Sequence, residues 1–446
     1  MQKIKEIKFG KESSFIAETI IADTLISTKT INVRSVIVEQ SNKNYFLIYN
    51  SKMQIITPTY RFLNHNTKHS SFNTKRNAMY ALKYLYSFSE IINKNIEDFE
   101  FINFVQLIYF LKGVSSDGND FAYELFTKRS NDSINNFLSV YREFYRFLGL
   151  RKSPIFNERT MSGYIPVAQY DIAALTKSKP KQEVPKYISQ EEFAKIVKYI
   201  RENTPDKETR LRNECIVRIM YEGGLRLGEV LGSTLEDYVV EEVNDEDICF
   251  VYIRNRITDR NFQSAKTCMN VTSKRTYSSN DYKTKNVGYQ LSFLNMDTYD
   301  LICEYIDIAH ERAFKHCKNN YSKSSTDSVG YYKEINEENY YLFINQRGTP
   351  LSDVSWGKEL RKIFEAVGIT VNYGVKEDNL SHRFRHGFVM HLIHDLKIPR
   401  EKVMARSRHK SYSSLDKYYN PTTSDLVAMK QEIEDNILGK GEDDYD

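Results

Sequence analysis

Residues 221–238 read YEGGLRLGEVLGSTLEDY, and the organisation of the C-terminal half turns on how this stretch is interrupted. An apolar helical run, CIVRIMY (215–221), enters it and meets Gly223 and Gly224, a pair able to supply the positive φ that stops a helix. Arg226 falls where the next helix begins, with Glu229 one turn later on the same face. A guanidinium at a helix N-terminus, steadied by a carboxylate, makes a rigid anion site. Taken alone, the same spacing also describes a surface ion pair after a helix break.

Two later stretches carry the same kind of chemistry. In SHRFRHGFVMHLI (381–393), His382, Arg385 and His386 stand at i, i+3 and i+4, one face of a helix. They join one fixed charge to two groups that trade protons near neutral pH. The apolar FVMHLI at the end of this stretch implies that the helix packs into a core. Two histidines four apart also fit half of a zinc motif, but Arg383 stands where that motif needs glutamate. No nearby carboxylate or cysteine completes a ligand set, so no metal is expected. In ARSRHKSYSSLDKYYNP (405–421), Ser413 and Asp416 have capping-box spacing. They predict a short helix that carries Leu415, Tyr418 and Tyr419 and ends before Pro421. His409 precedes it in a turn, nine positions before Tyr418. With 32 tyrosines in the chain, any single one is structural by default, and Tyr418 is set apart only by its company.

Between these stretches lies a strand-rich insertion, from ICFVYIRNR (248–256) to DYKTKNVGYQLSFLNM (281–296). Arg254, Arg256, Arg260, Lys266, Lys274, Arg275, Lys283 and Lys285 face only Asp259 and Asp281 as opposing charges. A hairpin so one-sided in charge suits phosphate tracking. The whole chain has a net charge of only +4, too small to identify a partner, so this local clustering carries the indication.

The 446 residues divide into about three units at an ordinary domain size. Residues 1–65 alternate with a period near two and read as a short strand-rich segment, as in FIAETIIADTLI (15–26) and INVRSVIVEQ (31–40). Residues 66–150 carry three amphipathic stretches and read as a compact helical module, its first helix capped by Ser71 or Asn73. Residues 151–185 lose periodicity and gain prolines at 154, 166, 180 and 185, a linker composition. Residues 186–446 read as one larger domain, opened by a helix with Ser189 as cap and Glu192 closing its capping box. Within it, 322–340 is expected to be an exposed loop and LGKGEDDYD (438–446) a frayed tail. SDLVAMKQEIEDNILG (424–439) is amphipathic and is expected to dock on a neighbouring subunit. No apolar run approaches the roughly 18 residues that span a bilayer. MQKIKEIKFG (1–10) has no apolar stretch after its charges, so the expected location is cytoplasmic. Five scattered cysteines (215, 249, 268, 303 and 317) form neither a disulfide framework nor a zinc pattern.

Two arginines, two or three histidines, a lysine and a tyrosine constitute a metal-free phosphoryl-transfer set. Attack on a phosphodiester builds charge on the non-bridging oxygens, which pre-positioned donors must stabilise. Such sites hold Mg²⁺ with carboxylates or use fixed cations. The sequence has no Walker loop, kinase signature or clustered acidic motif, which leaves the cations.

The order Arg-x-x-Glu, hairpin lysine, His-x-x-Arg-His, then His and Tyr nine apart resembles the tyrosine recombinase (phage integrase) family over most of residues 186–425. The helical module at 66–150 is similar to that family's core-binding domain, and LFINQRGTPLS (342–352) to a connector without catalytic role. The resemblance implies a fold that is mainly α with a small β-hairpin or sheet. It would pair a helical, SAM-like core-binding domain with an α+β catalytic domain. It implies a DNA strand-exchange enzyme that needs neither metal nor ATP and acts on double-stranded recombination sites as a homo-tetramer. Tyr418 would attack the scissile phosphate and become a 3′-phosphotyrosine. Arg226 and Arg385 would grip the non-bridging oxygens, and His382 would accept and donate the proton. His409 would hydrogen-bond the phosphate, Glu229 would orient Arg226, and His386 would support the site from its helix. Lys283 would protonate the departing 5′ oxygen, with Lys274 and Lys285 as rivals because the hairpin is longer than usual. Arg254, Arg256, Arg275 and those two lysines would track the DNA. The chain departs from the pattern at Arg408, where the family usually has glycine, and at Tyr419, which adjoins the proposed nucleophile. A non-catalytic DNA-binding protein and a type IB topoisomerase are the alternatives.

Overall fold

The computed structural model describes residues 2–9, 12–40, 43–67, 70, 72–115, 121–156, 176, 184–254, 289–321, 341–371, 380–409, 411–419 and 430. Two compact units account for the chain, one over residues 1–180 and one over most of residues 181–446.

In the first unit, period-two alternation becomes strand. β1 (Gln2–Phe9), β2 (Glu12–Ile21) and β3 (Thr24–Ile31) run antiparallel in sequence order. The tight β2–β3 turn places Ala22 and Asp23 at positive φ, as a two-residue hairpin requires. A second hairpin pairs β4 (Arg34–Gln40) with β5 (Lys43–Tyr49). After a one-turn helix, α1 (Thr57–Arg61), come α2 (Phe72–Ile92), α3 (Phe101–Lys112) and α4 (Asn131–Phe147). The linking strand β6 (Phe121–Glu124) joins β1 in parallel, pairing Gln2 with Phe121 and Lys5 with Glu124.

The boundary expected near residue 65 therefore separates no two cores. Ile4 and Phe15 from the strands share one apolar interior with Phe88, Phe110 and Phe144 from the helices. The interior is held by edge-on aromatic contacts such as Phe15 against Phe110, with ring centroids 5.1 Å apart. Its buried phenols are satisfied by backbone: Tyr141 donates to the Ala81 carbonyl at 2.9 Å and Tyr145 to that of Ile96 at 2.6 Å.

The second unit opens as its capping box predicts. Ser189 accepts from the Glu192 N–H and Glu192 accepts from the Ser189 N–H at the start of α5 (Gln190–Asn203). α6 (Lys207–Glu222) runs through the core with Cys215, Ile216, Ile219 and Met220 buried. After α7 (Leu227–Leu231), β7 (Tyr238–Val243), β8 (Glu246–Arg254) and β9 (Tyr289–Leu294) form an antiparallel sheet in that order. α8 (Met296–Tyr321), α9 (Asp353–Ala366), α10 (His382–Met390) and α11 (Arg400–Ser407) complete the framework. Trp356 anchors the end nearest α10, its indole N–H donating to Ser381 Oγ at 3.2 Å. The architecture is mainly α with small sheets: an N-terminal unit of helices with a four-stranded sheet and a hairpin, and an α+β C-terminal unit. The N-terminal unit carries more strand than a purely helical module would.

The loop at 322–340 and the tail at 438–446 lie outside the described residues, as does nearly all of 424–439. Among the described residues no helix is long and apolar enough to cross a membrane. No group of three or more acidic, histidine or cysteine side chains there is placed to hold a metal ion.

Candidate active site

The site is built around the break between α6 and α7. Gly223 keeps an α-like backbone, and Gly224 turns to φ +59°. A Cβ on Gly224 would come within 2.3 Å of the Phe388 ring, so glycine is required by both backbone and space. Arg226 is the N-cap of α7. Its N–H donates to Glu229 Oε2 at 2.8 Å and its Nη1 to Oε1 at 2.8 Å. Glu229 is buried, whereas the Arg226 side chain is 44% exposed and so presents its charge to solvent. The surface ion-pair reading fails on that burial.

α10 delivers Arg385 into the same place. Its guanidinium is only 1% exposed and donates to two backbone carbonyls, Gly224 through Nη1 and Ser407 through Nη2. α10 packs closely on the segment that leads into α5 because Gly387 has no side chain: a Cβ there would lie 2.2 Å from the Ile188 carbonyl oxygen. His382 and His386 rise from one face of α10, their rings meeting edge-on at 4.5 Å.

Tyr418, packed with Val389 and Met390 of α10, completes the cluster with 1% of its surface exposed. Its Oη lies 2.5 Å from His386 Nδ1, and its ring lies 6.0 Å from that of His409. His409 in turn sets Nδ1 2.6 Å from Ser407 Oγ. Among the described residues, His386 is thus placed to hydrogen-bond the phenol, where the sequence resemblance gives the proton to His382. Burial pushes the Tyr418 phenol up to about 12, and Arg385 and Arg226 pull in the other direction. Burial likewise pulls the Arg385 guanidinium down to about 9, helped by Arg408 and Arg226, which leaves it charged at neutral pH.

Tyr419 faces elsewhere. It is 39% exposed, and the Arg400 guanidinium lies over its ring at 5.2 Å. The geometry therefore separates two tyrosines that sequence alone leaves adjacent. The short helix predicted from Ser413 does not form: residues 412–414 and 416–418 make two single 3₁₀ turns. In the second, the Tyr418 N–H reaches only to the Leu415 carbonyl. Asp416 pairs with Arg400, 16 positions away, instead of capping a helix.

Arg254 does not take the place expected of it. The basic cluster places it on a DNA-tracking face, yet its side chain is 8% exposed and bonds Asp237 beside Glu236. Both carboxylates precede β7, outside the window over which the insertion reads as one-sided in charge. Arg256, Lys274, Arg275, Lys283 and Lys285 lie outside the described residues, as do Arg260 and Lys266.

The residue that sequence reasoning undervalues is Arg408. It ends α11 at φ +57°, ψ +38°, the left-handed region that glycine fills at no steric cost. A non-glycine residue there costs about 1 kcal/mol or more. Its buried Nη2 donates to the Gly224 carbonyl at 2.9 Å and to Glu229 Oε2 at 3.0 Å. Burial alone would raise the Glu229 carboxyl, but Arg408, Arg226 and Arg385 together hold it below its ordinary value. The available signal is the departure at position 408 itself.

Residues 299–424 match the model of the phage integrase family. That span holds His382, Arg385, His386, Arg408, His409 and Tyr418 and begins after Arg226 and Glu229. Transposase A from transposon Tn554 of Staphylococcus aureus is 29% identical over 219 residues, covering 45% of this chain and 57% of the transposase. The chain thus spans little more than half the length of this curated relative. Among solved structures, the Tn1549 transposon integrase in complex with transposon right end DNA is 13% identical, with a TM-score of 0.48. That comparison covers 84% of this chain and 98% of the integrase. The XerH site-specific recombinase bound to palindromic difH substrate is 15% identical, with a TM-score of 0.47 and coverage of 81% and 79%. The resemblance read from the ordered motifs is thus matched by a family domain within the same unit.

Proposed function

We propose that the chain is a site-specific DNA recombinase of the integrase and transposase kind. It would cut and rejoin duplex DNA through a covalent bond to Tyr418. The observation that carries this reading is the Tyr418 hydroxyl 2.5 Å from His386 Nδ1, inside a pocket whose charge is dominated by Arg226, Arg385 and Arg408. A phenol with a raised pKa attacks poorly unless a neighbour takes its proton. In the proposed step the Tyr418 O–H donates to Nδ1 of neutral His386, and the phenolate oxygen bonds to phosphorus. The bond from phosphorus to the 5′ oxygen breaks, leaving a 3′-phosphotyrosine, and a proton from Lys283, Lys274 or Lys285 neutralises the departing 5′ oxygen. A different 5′ hydroxyl then reverses the sequence. The bond energy is kept in the ester throughout, so no nucleotide cofactor enters the balance.

Arg226 suits direct contact with a non-bridging oxygen because its side chain is the exposed member of the trio. Arg385, pinned by two carbonyls, contributes fixed positive potential at no reorganisation cost. His382 and His409 line the same cluster and suit the hydrogen bonds that a pentacoordinate phosphate adds. Two duplexes held by four copies would supply the exchanging ends, and residues 424–439 would lie between copies.

The test is adduct formation on nicked duplexes that tile the DNA flanking this coding sequence, where loss of a short 5′ fragment traps the intermediate. The wild type is expected to give a protein–DNA adduct that Tyr418→Phe abolishes. Tyr419→Phe is expected to retain it within about twofold, because a surface substitution away from the chemistry perturbs little. Adducts of equal yield from both variants would refute the assignment.

A further inference from the structure

We propose that Arg408 is a positioning residue: a third guanidinium that braces the Glu229 carboxylate and, through it, the pose of Arg226. The inference rests on the function proposed above and adds a member to its site. Glu229 divides its oxygens: Oε1 takes the Arg226 guanidinium, while Oε2 takes both the Arg226 backbone N–H and Arg408 Nη2. Arg408 also shares the Gly224 carbonyl with Arg385, so one side chain ties the break after α6 to both other arginines.

Three features argue that Arg408 is more than a helix terminator. Its backbone adopts a conformation in which glycine would be relaxed, so the local rule favours a different residue. Its side chain is 3% exposed, yet Nε and Nη1 have no hydrogen-bond partner among the described residues. Buried charged donors are normally satisfied, and such a pair points to a cluster completed by something else. Finally, three guanidinium groups surround a single carboxylate, leaving the cluster with an excess of positive charge that an incoming phosphodiester would balance.

Arg226, Arg385 and Arg408 are the charged groups that face Glu229 from its own turn, from α10 and from the end of α11. Removing Arg408 should therefore make Glu229 easier to protonate and loosen its hold on Arg226. The first readout needs no DNA. In protein labelled at glutamate carboxyl carbons, with Glu229→Gln assigning the signal, the titration midpoint of Glu229 should rise by at least about one pH unit in Arg408→Gly, the scale of losing one close opposite charge. Arg408→Lys should fall between the two. An unchanged midpoint in both variants would overturn the proposal.

The second readout is the rate of Tyr418 adduct formation. Arg408→Gly should slow it at least about tenfold, as loss of a buried positioning charge does. Its acid limb should move to higher pH, and Arg408→Lys should recover part of the loss. In a Glu229→Gln background, Arg408→Gly should cost less than about a further twofold, because both act through one carboxylate. Fully additive losses would contradict the proposal. Absence of any adduct in the wild type would instead sink the proposed function, while the Glu229 midpoint would still decide the role of Arg408. Glycine is compatible with the backbone at 408, and the lysine variant carries both tests should Arg408→Gly fail to fold.

Discussion

The interior of the N-terminal unit and the interior around α10 are buried to a similar degree but are made of opposite materials. The first is a continuous set of phenylalanines and tyrosines in edge contact, with buried phenols satisfied by nearby backbone. The second holds Arg385, Arg408 and Glu229 all buried, a left-handed arginine, and a tyrosine hydroxyl aimed at a histidine. Apolar packing of the first kind stabilises a unit and is indifferent to pH. Charge buried at this density contributes little to net stability, because desolvation offsets most of the attraction. Under the proposed function, its presence in the second unit marks the place organised for chemistry, with strain located where the phosphodiester would be handled.

The contrast predicts a division of mutational effects, and the largest belongs to the site. His386→Ala should slow adduct formation by roughly 10²–10⁴, the span for loss of a positioned general base. The variant should melt near the wild type, and an unchanged cleavage rate would break the distinction. Phe88→Ala in the N-terminal core should do the reverse. It should cost about 3–5 kcal/mol of that unit's stability in denaturant unfolding, while adduct formation on folded protein stays near wild type. Gly224→Ala combines the two, since its methyl meets the Phe388 ring and its φ is positive. A loss of roughly 2–4 kcal/mol, together with slowed cleavage, is expected.

The smallest predicted effect is the most diagnostic of buried charge. Glu229 has a folded-state pKa below its ordinary 4.5, so its contribution to stability is complete above that value. The contribution is lost as pH falls through the lower, folded value. Glu229→Gln should thus be less stable than the wild type by about 1–3 kcal/mol near neutral pH. The gap should narrow in acid below the ordinary value of 4.5, and melting curves across pH would show it. A constant gap would mean that Glu229 is not held ionised by its arginines.

Much of this is legible in the sequence because the signals are local. The Ser189 and Glu192 capping box, the Gly223–Gly224 stop, the Arg226–Glu229 pair and the shared face of His382, Arg385 and His386 all depend on residues within one helical turn or one break. What escapes is non-local. The boundary near residue 65 dissolves because Gln2–Lys5 pair with residues 121–124, a contact between distant stretches that no local window contains. Arg254 counts among basic neighbours, but its partner Asp237 lies 17 positions upstream and is met only when β8 folds back. The helix predicted from Ser413 gives way to 3₁₀ turns, with Asp416 engaged by Arg400. Arg408 looks like a flaw in a turn, since its value depends on Glu229 being 179 positions away in sequence and 3.0 Å away in space.

Peptide mapping of the trapped DNA adduct probes the cationic pocket and its phenol most directly. Digestion and mass spectrometry should recover the nucleotide remnant on the peptide containing Tyr418, attached at that residue through a 3′ phosphate. A remnant on Tyr419, on another nucleophile, or through a 5′ phosphate would contradict the mechanism proposed for this site.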